Sequence, residues 1–97
     1  MPFSIEIRPL AAMEIIEAFD WYELQREGLG AEFLNELENF YASLQLNPES
    51  YSYYIKPIRQ GKIKRFPYVV VYEVSNLSIV IYSVFLTDRN PDFKRTK

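Results

Sequence analysis

The sequence predicts an α+β fold: an N-terminal strand, an antiparallel two-helix hairpin, then a three-stranded antiparallel meander, in the order βααβββ. Three observations carry this. Apolar and polar residues alternate at the start, and apolar residues recur at helical spacing between positions 10 and 46. After Pro48 they give way to runs rich in β-branched and aromatic residues. At 97 residues the chain has length for one domain spanning 1–97, since a second core would have too little chain to close around it.

Phe3-Ser4-Ile5-Glu6-Ile7-Arg8 has the period of a half-buried strand. Pro9 fixes its own φ and suits the first turn of a helix. Over 10–27, Ala12, Ile15, Ile16, Phe19 and Tyr22 recur at helical spacing and form the expected core stripe, with Glu14, Glu17 and Glu23 elsewhere. Gly28 and Gly30 bracket Leu29 and end this helix. A second helix over 31–46 places Phe33, Leu37, Phe40 and Leu44 on one face, and Asn47-Pro48 stops it. The short connection makes the pair an antiparallel hairpin, expected to pack on one face of the sheet. Trp21, Phe33, Phe40 and Tyr72 are all expected in the core.

Residues 53–59 read as a strand, with Pro57 placing it at an edge, and Gln60-Gly61 as a turn or bulge. The stretch 62–66 alternates imperfectly, 68–74 is a strong strand, Ser75-Asn76 supplies a turn and 78–85 is the last strand. A short charged tail follows over 92–97.

Composition removes several function classes. With neither cysteine nor histidine, the chain has no disulfide frame, no thiol nucleophile and no Ser-His-Asp or Cys-His site. It also has no imidazole zinc site and no imidazole to shuttle protons near neutral pH. The first residues show no basic stretch followed by an apolar run, and no segment approaches the length of a membrane helix. These features predict a cytoplasmic protein without a membrane partner.

The net charge of −2 hides an asymmetry. Residues 1–50 carry two basic residues against ten acidic ones, whereas residues 51–97 carry nine basic residues against three acidic ones. Such a split suggests that one surface addresses a polyanion or an acidic peptide; the alternative is mutual neutralisation across the fold. The candidate cations are Lys56, Arg59, Lys62, Lys64 and Arg65, with Arg89, Lys94, Arg95 and Lys97 further on. On a strand, Lys62 and Lys64 share one face and Ile63 and Arg65 the other. Solvated lysines there either contact phosphates or carboxylates or simply blunt an exposed edge. Tyr51, Tyr53 and Tyr54 precede the regular meander and offer a stacking surface as an alternative to core. The carboxylates Glu14 and Glu17, and Glu32, Glu36 and Glu38, read as solvated helix faces. Neither a metal site nor a cofactor is expected.

Lys64-Arg65-Phe66-Pro67-Tyr68, followed by Val69-Val70-Val71-Tyr72, resembles the RelE/ParE toxin superfamily (plasmid stabilisation system proteins). The resemblance extends over nearly the whole chain. It includes residues 11–22 with their trailing Trp-Tyr, Gly28-Leu29-Gly30, Phe33, Asn47-Pro48 and Val84-Phe85-Leu86-Thr87-Asp88-Arg89-Asn90-Pro91. It implies the same βααβββ fold and a toxin encoded beside an antitoxin.

The ribonuclease branch of that superfamily relies on arginines in its strands and a tyrosine near its end. Here Val69 stands where the first arginine would be, Leu86 replaces a histidine common among relatives, and Thr87 and Phe93 take the positions near the last strand. Lys62 and Lys64 match that branch's lysine pair, and Arg89 is a displaced arginine candidate. Those three would be catalytic in a ribosome-dependent messenger ribonuclease. The ParE-like branch binds DNA gyrase without covalent chemistry and shares the Phe-Pro-Tyr strand and the Arg-Asn-Pro exit, so the resemblance favours it. On that branch Arg59, Lys62, Lys64, Arg65, Arg89 and Phe93 are the target- or antitoxin-binding residues. Arg65 has a structural alternative, holding the meander to the Arg89 loop. The resemblance further implies a cognate antitoxin whose acidic amphipathic C-terminal segment wraps the hairpin and sheet, in a homodimer or in a heterotetramer with the antitoxin. A non-toxic fold relative acting as a binding module is the third alternative.

Overall fold

A single strand opens the fold, and it finds its partner at the far end of the chain. The computed structural model describes residues 3–87. Strand β1 (Ser4–Ile7) is followed by helices α1 (Pro9–Gln25) and α2 (Leu29–Leu46). Strands β2 (Tyr53–Ile55), β3 (Ile58–Lys62), β4 (Tyr68–Ser75) and β5 (Ser78–Leu86) complete the order. The five strands form one sheet, β1-β5-β4-β3-β2. Among the described strands only β1 runs parallel to its neighbour, with Ile5 opposite Ile79; the remaining pairs are antiparallel. The α+β class therefore stands, with a mixed sheet.

Pro9 begins α1 where its missing N–H costs nothing. Gly28, at φ +90°, starts α2 in a backbone conformation that L side chains rarely adopt. Because Gly28 has no side-chain cap of its own, α1 provides one: the N–H groups of Gly28, Gly30 and Ala31 donate to the Glu23 carboxylate at 3.1, 2.8 and 3.3 Å. A carboxylate there also meets the positive end of the α2 dipole. Gly30 is needed for close approach, since a Cβ at that position would lie 2.7 Å from the Phe19 ring. Glu14 does a similar service for the sheet: the Ser83 hydroxyl and the Val84 N–H both donate to it at 2.8 Å. Val84 lies beyond the residues of β5 that pair with β1, so this contact satisfies a donor on an otherwise open edge.

The core lies between the helical hairpin and one face of the sheet. Phe33, Leu37, Phe40 and Leu44 of α2 are all buried, as their spacing predicts, together with Val70, Tyr72, Ile79, Ile81 and Val84. The α1 stripe differs from the expected one. Its buried residues are Ala11, Ala18 and Tyr22, with Ile15 partly buried, so the helix is rotated by about one residue relative to the sequence reading. Ile16 is exposed, and Trp21, expected in the core, keeps 53% of its surface in solvent. Small alanines at the contact let α1 lie close to its neighbours, which the larger residues would prevent.

Two further expectations are corrected. The stretch 53–59 is a hairpin of β2 and β3 turning at Lys56-Pro57, and Gln60-Gly61 lies inside β3. Strand β3 ends at Lys62, so 63–67 is a loop pinned by two buried side chains, Ile63 and Phe66. Phe66 packs edge-on against Tyr22 (centroids 4.9 Å) and Phe33 (5.5 Å), and Tyr68 against Phe33 (5.0 Å). The Phe-Pro-Tyr block is thus the plug that seats the sheet on the helical hairpin.

Candidate functional site

The loop 63–67 determines what the basic residues around it can do. With Ile63 and Phe66 buried, the intervening Lys64 and Arg65 are left in solvent, Arg65 at φ +71°. Arg65 then reaches back to α2, forming ion pairs with Glu32 at 2.7 Å and Glu36 at 3.6 Å. The hydrogen bond from Arg65, and after it the one from Arg26, hold the Glu32 carboxyl below its ordinary range; the same contact raises the Arg65 guanidinium. Arg65 therefore holds the loop to α2, while the expected tie to the Arg89 loop lies outside the described residues.

Arg59 is also engaged within the fold. From the middle of β3 it donates to the Tyr51 carbonyl at 2.6 Å, the Glu49 carbonyl at 3.3 Å and the Tyr53 hydroxyl at 3.0 Å. Its guanidinium carbon sits 4.0 Å over the Tyr53 ring. Together with the Tyr72 hydroxyl, which donates to the Pro48 carbonyl at 2.8 Å, it fastens the segment between α2 and β2. Tyr51 packs on Phe40 (5.0 Å), whereas Tyr53 and Tyr54 stay substantially exposed.

Lys62 and Lys64 remain solvent-facing, and no ion pair engages either among the described residues. They stand at the mouth of a cavity of about 300 Å³ between α2 and the end of β3. Its aromatic floor is Phe40 and Tyr51, which approach this closely because position 61 is glycine: a Cβ there would lie 2.8 Å from both rings. Glu36, Asn39 and Ser43, on one face of α2, line the opposite wall. The Ser43 hydroxyl donates to the Phe40 carbonyl and Glu36 pairs with Arg65, so neither competes fully for the ammonium groups. A second, shallower hollow of about 490 Å³ lies on the other side of Lys62, floored by Val69, with the Gln60 side chain and Thr87 at its walls. Gln60 Oε1 is buried there without a hydrogen-bond partner among the described residues.

Of the residues the sequence singles out, the structure brings Lys62 and Lys64 to one cavity and places Arg59 and Arg65 beside it in internal roles. Arg89 and Phe93 lie outside the described residues. The α2 wall of Asn39 and Ser43 was not singled out from sequence, where only their i, i+4 spacing hints at a shared face; of the floor, Tyr51 was expected as a stacking surface or core and Phe40 as core. Among the described residues no cluster of His, Cys, Asp and Glu could hold a metal ion, and no helix is long and apolar enough to cross a membrane.

Comparison with known proteins gives the lineage. Among solved structures, a chain from the chromosomal ParDE TA system of P. aeruginosa superposes with a TM-score of 0.73 at 15% identity, covering 84% of this chain and 92% of that one. At that identity the likeness is one of fold. Among curated protein sequences none matches. Residues 5–91 match the model of the ParE toxin of the type II toxin–antitoxin system parDE. Because that match spans most of the chain, the protein belongs to the ParE toxin family of type II toxin–antitoxin systems.

Proposed function

We propose that the chain acts as a toxin by binding, with DNA gyrase as target, and that a cognate antitoxin neutralises it by laying an acidic segment over the Lys62–Lys64 cavity. The observation that carries this reading is two ammonium groups, without an ion-pair partner among the described residues, beside a cavity with an aromatic floor. An ammonium group offers three donors and no acceptor, which suits a carboxylate or phosphate on a partner. RNA cleavage at the same place would need a group to take the 2′-hydroxyl proton. The chain has no histidine, and Glu36, the carboxylate on the cavity, is paired with Arg65. Arg89 and Phe93, which the resemblance assigns to binding, lie outside the described residues.

The test begins with viable counts after tightly induced expression, with and without the neighbouring reading frame. Arrest relieved by the neighbour, together with inhibition of supercoiling by purified gyrase, supports the proposal. Lys62→Glu/Lys64→Glu should abolish that inhibition with an unchanged circular dichroism spectrum, because both side chains are solvated. Messenger cleavage in a translating extract with gyrase unaffected would replace this reading with the ribonuclease one. Unimpaired growth with no effect on gyrase would leave a binding module without toxicity.

A further inference from the structure

The face of the sheet turned away from the helical hairpin carries a buried polar group with nothing to bond. Gly61 points into the hairpin side, towards Phe40, so its neighbours Gln60 and Lys62 share the opposite face of β3, about 7 Å apart along the strand. Across from them on β4 stand Val71 and Val69, which can neither donate nor accept through their side chains. Gln60 Oε1 is shut off from solvent without a hydrogen-bond partner among the described residues. An amide oxygen buried in this way costs stability until a donor meets it, and a leucine would fill the position without that cost. The amide lies at the wall of the hollow of about 490 Å³ beside Lys62.

The other groups around that hollow narrow the choice of donor. Lys62 is exposed, has no ion-pair partner among the described residues, and calls for an anion. Ser52 and Thr87 bring hydroxyls, which donate or accept as needed. The Tyr51 ring, packed close over Gly61, and the Val69 side chain supply apolar surface for a flat ring. A bare phosphate would satisfy Lys62 and leave Gln60 unmet, and like a single amino acid it would fill little of this volume. A nucleoside phosphate meets every group. Its base presents an N–H beside a ring acceptor, the edge with which a glutamine amide makes two bonds to adenine, and its phosphate suits the ammonium group. No carboxylate lies among the described lining residues, so nothing there repels the phosphate or draws a proton from the ligand.

We propose that this hollow binds a nucleoside monophosphate, with the base edge on the Gln60 amide and the phosphate on the Lys62 ammonium group. The ligand is held, not cleaved. The site shares Tyr51 and Lys62 with the cavity on the α2 side and is otherwise distinct from it, and it does not depend on the toxin's target.

The test is isothermal titration calorimetry on the purified full chain at about 150 mM salt, where weak unspecific charge attraction is screened. The probes are adenosine and uridine 5′-monophosphate, their nucleosides, which lack the anion, and ribose 5-phosphate, which lacks the base. The better nucleotide should bind roughly tenfold or more tighter than its nucleoside and than ribose 5-phosphate. Gln60→Leu should reduce it to the level of ribose 5-phosphate, with the circular dichroism spectrum unchanged. Lys62→Gln should reduce it to the level of the nucleoside; its side chain is solvated, so this variant tests the site even where Gln60→Leu folds poorly. Lys56→Gln, which removes the same charge at the β2–β3 turn, should leave the affinity within about twofold. Absence of binding by both nucleotides would overturn the proposal, as would ribose 5-phosphate binding equally well or a folded Gln60→Leu without loss. So would a short single-stranded RNA binding more than about a hundredfold tighter than either nucleotide, since the hollow would then be one step of a strand-binding groove.

Discussion

The two helices of the hairpin are nearly equal in length and opposite in character. In α2 most apolar residues fall on one buried stripe, and the outward positions are polar or alanine except at Leu34 and, in the last turn, Leu46. In α1 large apolar residues occur all round, the buried side is two alanines and a tyrosine, and the larger aliphatics face water. The difference teaches that an apolar residue on a helix reports a contact of some kind, but not which one. Where the stripe is single, burial in the core accounts for it; where it is doubled, the second stripe is left over from folding and available for binding.

This contrast can be broken most directly by truncation. Phe33→Ala in α2 should cost about 3–5 kcal/mol, because a fully buried ring leaves a cavity behind. Ile16→Ala in α1 should stay within about 0.5 kcal/mol, as for exposed positions generally. Urea denaturation midpoints decide it, and comparable losses would mean that the outer face of α1 is structural.

A smaller effect sharpens the point for the polar residues. Glu23→Gln should destabilise by about 1 kcal/mol, since its carboxylate receives three N–H groups at the start of α2. Glu17→Gln on the same helix should be close to neutral. Thermal melts of the two single variants at low salt make the comparison, and equal shifts would contradict the division between inward-working and outward-facing carboxylates.

The smallest effect concerns the tie between α2 and the loop after β3. The Glu32 carboxyl is lowered from its usual 4.5, chiefly by Arg65. The unfolded chain then takes up the proton more readily, so this contribution is present above the unfolded value and lost as pH falls through the folded one. The melting difference between the native chain and Glu32→Gln should therefore narrow between pH 6 and pH 3. A difference independent of pH would mean that the ion pair contributes nothing.

Much of this was legible along the chain. The α2 stripe, the last two strands and the turn at Asn76, whose φ is +55°, follow from spacing, β-branching and a residue type that tolerates a left-handed backbone. The split of charge also carried through, since the hairpin holds most of the carboxylates and the β3 end the exposed ammonium groups of Lys62 and Lys64. The β2–β3 turn was hidden because Lys56-Pro57 lacks the Asn-Gly or Gly signal of a tight hairpin, and the flanking residues all suit a strand. Arg65 at positive φ carries no sequence signal, because nothing local favours arginine there; the buried anchors Ile63 and Phe66 impose it.

By itself the sequence determined the secondary structure wherever period and residue type agree, and the family to which the chain belongs. Tertiary structure alone decided that β1 pairs with β5, that α1 turns its alanines inward, and that Arg59 and Arg65 are tied up while Lys62 and Lys64 have no ion-pair partner among the described residues. The reason is physical. Periodicity and propensity act over one turn or one strand, whereas burial and the pairing of charges depend on which neighbour arrives from elsewhere in the chain, and only the assembled fold supplies that neighbour.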